Sequence, residues 1–227
     1  MRFKFLSFFF LLLLFNPSLC QSAPCYGTKI PAKGGFFSGI EVFHIDRNLE
    51  KDQGKVKSTQ SFLLVSYGLQ DWFSIDLKVG IGGIDRYSAP YHNVDYSARF
   101  DGGYGFRALF FDRDNVRLTG GFQHISVHPN TVSLDNKKYK AVLDDWQVSL
   151  LLSYDYSHLS LYAGPRVSRT DYINWIDNAR KRHMSDSGDC IGFVCGADIK
   201  ITDEMWLNAE AGFIDAKTAA ISLMARF

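Results

Sequence analysis

The chain has 227 residues, 25 Lys and Arg against 24 Asp and Glu, 46% hydrophobic and 15% aromatic side chains, and a formal charge of +1. That length allows one domain or two small ones. The apolar and aromatic content excludes disorder, and a near-neutral balance without a basic stripe excludes nucleic acid as a partner. A mean hydropathy of −0.10 argues against a helical membrane protein but not against a barrel, whose strands average one lipid face with one inward face.

The N-terminus comes first. Arg2 and Lys4 precede an apolar run from Phe5 to Phe15 broken only by Ser7. Eleven residues rise about 16 Å as a helix, short of the roughly 30 Å hydrocarbon core but right for a signal-peptide core. Asn16 and Pro17 end it. Residues 1–22 therefore read as a cleaved export signal, with the cut after Ser22 and Cys20 at −3. A cut after Cys20 fits as well, and Pro24 disfavours one after Ala23. Lipid attachment at Cys20 or Cys25 is the competing reading, opposed by Leu19 and Pro24 where a small residue is wanted. Without Arg2 and Lys4 the balance becomes 23 basic to 24 acidic side chains. Residues 23–34 then read as a periplasmic N-terminal segment and 35–227 as one domain.

Beyond residue 22 no apolar stretch reaches spanning-helix length, and no i, i+3, i+4 pattern persists. Period-two alternation recurs instead. Ten strands are expected, with eight as the alternative: roughly 36–47, 56–69, 72–87, 96–111, 116–127, 145–156, 159–172, 189–201, 205–214 and 218–227. The first is ragged around Glu41 and His44. In the others apolar sets alternate with polar ones, as Phe73, Ile75, Leu77, Val79 and Ile81 do with Ser74, Asp76, Lys78 and Gly80. Tight polar connections at 68–71, 112–115, 157–158 and 202–204 mostly alternate with longer, charged ones at 48–55, 88–95, 128–144 and 172–188; the last hairpin, near 215–217, is short. Short and long rims are what an up-and-down transmembrane barrel shows, and an even count puts both termini on the short-turn side. Cys190 and Cys195, five apart, face opposite ways within one strand, and a bond from Cys25 to one of them stays open.

Aromatics cluster at strand ends, among them Trp72, Phe110, Phe111, Trp146, Tyr154 and Trp206, as interfacial girdles do. Glycines such as Gly80, Gly82, Gly103 and Gly164 fall inside strands, where a barrel needs curvature. The chain ends Ile221-Ser-Leu-Met-Ala-Arg-Phe227. With that ending, and with stretches such as Leu159–Val167 and Trp206–Phe213, residues 35–227 resemble the small single-chain bacterial outer-membrane β-barrels, the broad grouping of opacity-like and Ail-like surface proteins. The resemblance implies an outer-membrane location, Phe227 as the signal read by the barrel-assembly machinery, outer-membrane lipid and lipopolysaccharide as surroundings, and a structural or adhesin-like role.

If the apolar set faces lipid, the opposite set lines the lumen: Asp76, Lys78, Arg99, Asp101, Arg107, Arg117, Asp155, Arg166, Asp198, Lys200, Glu210 and Arg226, with Gln123 and Asn208. Both signs are mixed, so paired charges filling the lumen are favoured over a narrow porin-like channel, which would show rings of one sign. Two enzyme readings compete with this. An omptin-type protease would use Asp144 and Asp145 with His44 and Asp46, but the Asp-x-His order is absent. A lipid A-modifying hydrolase would use His124 and Ser126, which share the outward face at period two; the glutamate it needs downstream is missing, with only Asp135 near. The expectation is a non-enzyme with no cofactor and no metal. Basic clusters in the two longest loops, Lys137, Lys138 and Lys140 and then Arg180, Lys181 and Arg182, are the candidate contacts for an extracellular ligand.

Overall fold

The structure is a computed structural model that describes residues 23–50, 53–87, 93–185 and 190–227; the signal segment lies outside them. The strands run β1 (Phe36–Asn48), β2 (Lys55–Gln70), β3 (Phe73–Tyr87), β4 (Val94–Arg113), β5 (Val116–His128), β6 (Val132–Leu134), β7 (Lys137–Asp155), β8 (Leu159–Ile176), β9 (Ala179–Met184), β10 (Ile191–Lys200), β11 (Met205–Phe213) and β12 (Lys217–Arg226). Ten of them, all but β6 and β9, close into one antiparallel barrel. β5 pairs with β7, β7 with β8, β8 with β10, and β12 returns to β1 with Val42 opposite Ile221. Closure matters because a bilayer offers no partner to an unpaired strand edge.

Alternation is strict where the sequence shows it. Ser74, Asp76 and Lys78 are buried between the exposed Ile75, Leu77 and Val79. Ile40, Leu77, Ile81, Leu152, Ile191 and Ile221 all expose more than half their surface on the outside. An apolar belt of this kind, over a polar inner wall, is the surface of a barrel set in lipid. At the short-turn rim Phe227 stacks on Phe36, centroids 5.2 Å apart, and its amide bonds the Phe36 carbonyl at 3.0 Å. Glycine is required where strands crowd: a Cβ at Gly80 would meet the Ser61 carbonyl oxygen at 1.9 Å, and one at Gly164 the Leu150 carbonyl oxygen at 2.0 Å.

Three expectations are corrected. Residues 137–144, 173–176 and 179–184 are not loop but strand. β6 and β7 form a hairpin at Asp135-Asn136, both at positive φ (50° and 60°), and β8 and β9 form another at Asp177 (φ 55°). The turn at Asp114-Asn115 (φ 52° and 68°) has the same chemistry, since Asp and Asn accept the left-handed region that tight hairpins need. Because β7 and β8 stay paired up to Tyr139–Ile176, the four strands β6–β7–β8–β9 stand as a sheet beyond the barrel on one side. The lumen, second, is not polar throughout. Toward the long-loop rim its inward residues are Ile45, Val56, Ile84, Tyr96, Ile125, Val127, Leu143 and Tyr172, all almost fully buried in one apolar cluster. The third correction concerns the segment 23–34: residues 23–31 run inside the barrel, with Ala23 through Thr28 and Pro31 buried, and only Ala32, Lys33 and Gly34 are exposed, at the short-turn rim.

Candidate functional site

The inner segment is held by the wall from several sides. The Cys25 amide donates to Glu210 Oε1 at 2.8 Å, Thr28 Oγ1 donates to Ser153 Oγ at 2.8 Å, and Thr119 Oγ1 donates to the Thr28 carbonyl at 3.1 Å. Lys29 sits 3.8 Å from Asp198 and over the Trp206 ring, and Lys78 sits over the Tyr26 ring at 4.2 Å. Tyr26 and Gly27 take positive φ (64° and 67°) to turn the chain there. At the short-turn rim Gly34 donates to the Gly68 carbonyl, and the Lys33 amide donates to Asp71. Cys25, considered above for lipid attachment, has its Sγ enclosed and accepting from Gln147 at 2.9 Å. Cys25, Cys190 and Cys195 are all free thiols.

Arg107 of β4 organises the lower lumen. Its Nε and Nη2 donate to the two oxygens of Asp76 at 2.9 and 2.8 Å, Nη2 also to Ser66 Oγ, and Nη1 to the carbonyls of Tyr26 and Lys29. Ser66 and Gln123 complete the Asp76 carboxylate. Arg166 makes a second such centre, bidentate to Asp215, which the β11–β12 turn folds inward, with Thr218 and the Ala216 carbonyl as further acceptors. Arg117 pairs with Asp155 at 2.5 Å, and Asp198 accepts from Asn208. Fork geometry makes arginine the residue that can satisfy a buried carboxylate twice over. Asp215 was not among the sequence candidates, because a turn residue gives no alternation signal.

Three candidates leave the lumen. Arg99 is exposed, since β4 carries an extra residue where Gly82 faces Arg99 but Ile84 already faces Tyr96, and this bulge resets the alternation. Lys200 and Arg226 occupy the last rung at the short-turn rim, where they bind the Asp203 carboxylate and the Asp203 carbonyl in solvent.

The enzyme candidates are not assembled. His124 stacks on Trp146, centroids 3.7 Å apart, and its Nδ1 lies 3.0 Å from the Asp145 carbonyl. Ser126 instead meets His128 Nε2 at 2.9 Å and donates to Asp144 Oδ1 at 2.5 Å. Ser126 is thus bound to Asp144 and His128, and no hydrogen bond joins it to His124. The ladders of β5 with β4 and β7 also leave no amide pair free to hold an oxyanion. Asp144 points outward and Asp145 inward, while His44 binds Thr59 and Asp46 binds Lys55; the protease candidates therefore do not converge. Among the described residues no three His, Cys, Asp or Glu are placed to hold a metal.

The basic clusters lie on strands, and strand geometry sorts them. Lys140, Trp175 and Arg180 are cross-strand partners in one row. Lys140 Nζ stands 5.1 Å from the Trp175 ring centre and Arg180 5.8 Å from it. Lys138 and Arg182, two residues along, share that outward face; Lys137 and Lys181 fall on the other. Arg182 is paired with Asp171, which also binds Arg169 3.2 Å away.

His183 of β9 stacks over Tyr172. Burial, with the Arg86 and Lys181 charges, holds its imidazole below the ordinary range. A histidine that resists protonation when folded leaves the unfolded hairpin binding more protons, so stability is complete above about pH 6.5 and falls as pH drops through that value. Amide protection factors in 171–184, with the intrinsic pH dependence of exchange divided out, are therefore expected to be lower at pH 5 than at pH 7.5, with the difference lost in His183→Gln; an unchanged pH response in that variant would clear His183 of the role.

No family model and no curated protein matches the sequence. Among solved structures the chain is similar to an outer-membrane channel from Pseudomonas putida F1 (12% identity, TM-score 0.47, 91% of this chain and 100% of that one). It is also similar to Ail, the attachment invasion locus protein of Yersinia pestis (11%, 0.42, 86% and 99%), and to the outer-membrane protease OmpT from Escherichia coli (9%, 0.42, 85% and 94%). Likeness at this level assigns no activity.

Proposed function

We propose that the protein is an outer-membrane barrel with a sealed lumen whose working surface is the outward face of the β6–β9 sheet, and that this face takes an anionic glycan. The observation that carries the reading is the Lys140–Trp175–Arg180 row, an aromatic ring flanked by two cations and extended by Lys138 and Arg182 on the same face. Cations on a ring recognise sulfate or phosphate while the ring covers the sugar. In support of a sealed lumen, the interior holds an inner segment below and an apolar cluster above.

The test is binding of the purified barrel to a sulfated polysaccharide and, separately, to lipopolysaccharide; the two arms distinguish a foreign glycan from the protein's own leaflet. Binding is expected to weaken about tenfold or more in the Lys140→Gln/Arg180→Gln/Arg182→Gln variant, taking exposed charge contacts at roughly 0.5–1 kcal/mol each, and to fall with salt. Equal binding by the variant would remove the reading.

A further inference from the structure

We infer that the wall between β7 and β8 carries a lateral site for one acyl chain of a membrane phospholipid, entered from the bilayer beside Pro165. The ladder of these two strands pairs Ser149 with Arg166 and Leu152 with Ala163, in one register, yet pairs neither Leu150 nor Leu151. Among the described residues the other wall ladders are continuous or break only where the register shifts. The same register sets Leu150 opposite Pro165 and Leu151 opposite Gly164. Asp177 donates its amide to the Lys138 carbonyl of β7, and amides alternate in direction along a strand. The odd-numbered residues of β8 therefore aim their amides at β7, and Pro165, which has none, leaves the Leu150 carbonyl without a donor. That carbonyl lies against the Gly164 backbone instead, where a Cβ would stand 2.0 Å from its oxygen.

Apolar surface meets this break from both sides. Outside, on its short-turn side, a groove of about 260 Å³ is lined by Leu152, Tyr154, Leu161 and Ala163 and reaches Ser153 and Tyr162, two residues buried on the inner face. Inside, Leu151, Tyr162 and Val194 form a small buried cluster with Cys25, separate from the large one at the long-loop rim. The occupant follows from the place. Leu152 and Leu161 are exposed in the outward apolar belt, where lipid chains are the surrounding medium. Tyr154 and Tyr156, with ring centroids 4.8 Å apart, mark the headgroup level of the short-turn leaflet. Leu151 lies three residues further in, about 10 Å deep at strand rise. Water does not replace a missing backbone hydrogen bond at that depth, so the wall parts most easily here. A chain descending from that leaflet runs along Leu152 and Ala163 and ends against Leu151 and Tyr162. The site is independent of the β6–β9 face and of any ligand bound there.

The probe is a phosphatidylcholine with a diazirine in one acyl chain, photolysed in phosphatidylcholine vesicles that hold the full barrel, with labelled residues read by peptide mass analysis. Lipid that merely surrounds the wall labels outward side chains such as Leu77 and Ile221. A seated chain is expected to label the inward-facing Leu151 and Tyr162 as well. Pro165→Val supplies the missing amide, and Ala163→Phe fills the groove while leaving the ladder as it is. Each is expected to lower the inward label about tenfold, the scale of one backbone hydrogen bond, with the label on Ile221 unchanged; either variant decides if the other does not fold. Label confined to outward residues, in protein that migrates as a compact barrel, would mean ordinary surrounding lipid and overturn the inference. Inward label that persists at full strength in the folded variants would overturn it too, since the chain would then enter elsewhere.

Discussion

Arg107→Ala is expected to destabilise the folded barrel by about 3–5 kcal/mol, because it leaves the buried Asp76 carboxylate without its counter-charge. The site offers no relief. Asp76 keeps only Ser66 and Gln123, both already bound to it, and the carbonyls of Tyr26 and Lys29 lose their donor. The loss therefore spreads from the wall to the inner segment. The measurement is the denaturant midpoint for conversion from the compact to the heat-unfolded form on a detergent gel. Arg107→Met with Asp76→Leu removes both charges at similar volume and is expected to recover most of the loss, as replaced buried pairs do. Should the single variant unfold at the wild-type midpoint, the Arg107 centre would be packing without energetic weight; should the double variant be as weak as the single, shape rather than charge would be responsible.

Much of this was legible in the chain, and what was not had physical reasons. Ten wall strands follow from alternation because lipid and lumen demand opposite side chains on one strand; Asp76, Lys78 and Arg166 sit where alternation is unbroken, and Arg107 sits on the regular stretch of β4 between its two irregularities. Arg99 escapes that logic at a bulge, which a period of two cannot foresee. The extension strands β6 and β9 escape the alternation pattern because a sheet beyond the bilayer has water on its faces and loses the apolar half of it. A signal for them was nonetheless present, since Asp114-Asn115, Asp135-Asn136 and Asp177-Asn178 are the same dipeptide and each turns a hairpin. The inner path of residues 23–31 had no local signal at all. It depends on Thr28 meeting Ser153, and on Tyr26 and Lys29 meeting Arg107, contacts 78 to 125 residues apart.

Conductance tests the sealed-lumen proposal through its two closures in series. The lower one is the segment 23–31; deleting it leaves the wall pairings untouched, with Asp76 still held by Arg107, Ser66 and Gln123 and Glu210 still receiving the Tyr162 hydroxyl. The upper one is the apolar cluster in which the Tyr172 hydroxyl donates to that of Tyr96 at 3.2 Å beside Leu143 and Val127. Resistances in series are set by the tighter, so the deletion alone is expected to give no steps in planar bilayers, and so is Tyr96→Ser/Leu143→Ser/Tyr172→Ser alone. Combined, they are expected to open a cation-preferring path, since the exposed interior would carry more carboxylates than cations. Steps from either alteration alone would mean that only one closure operates. Silence from the combination, in protein that still migrates as a compact barrel, would mean that the wall itself closes the lumen, as a ten-stranded cylinder barely wider than its own side chains is able to do.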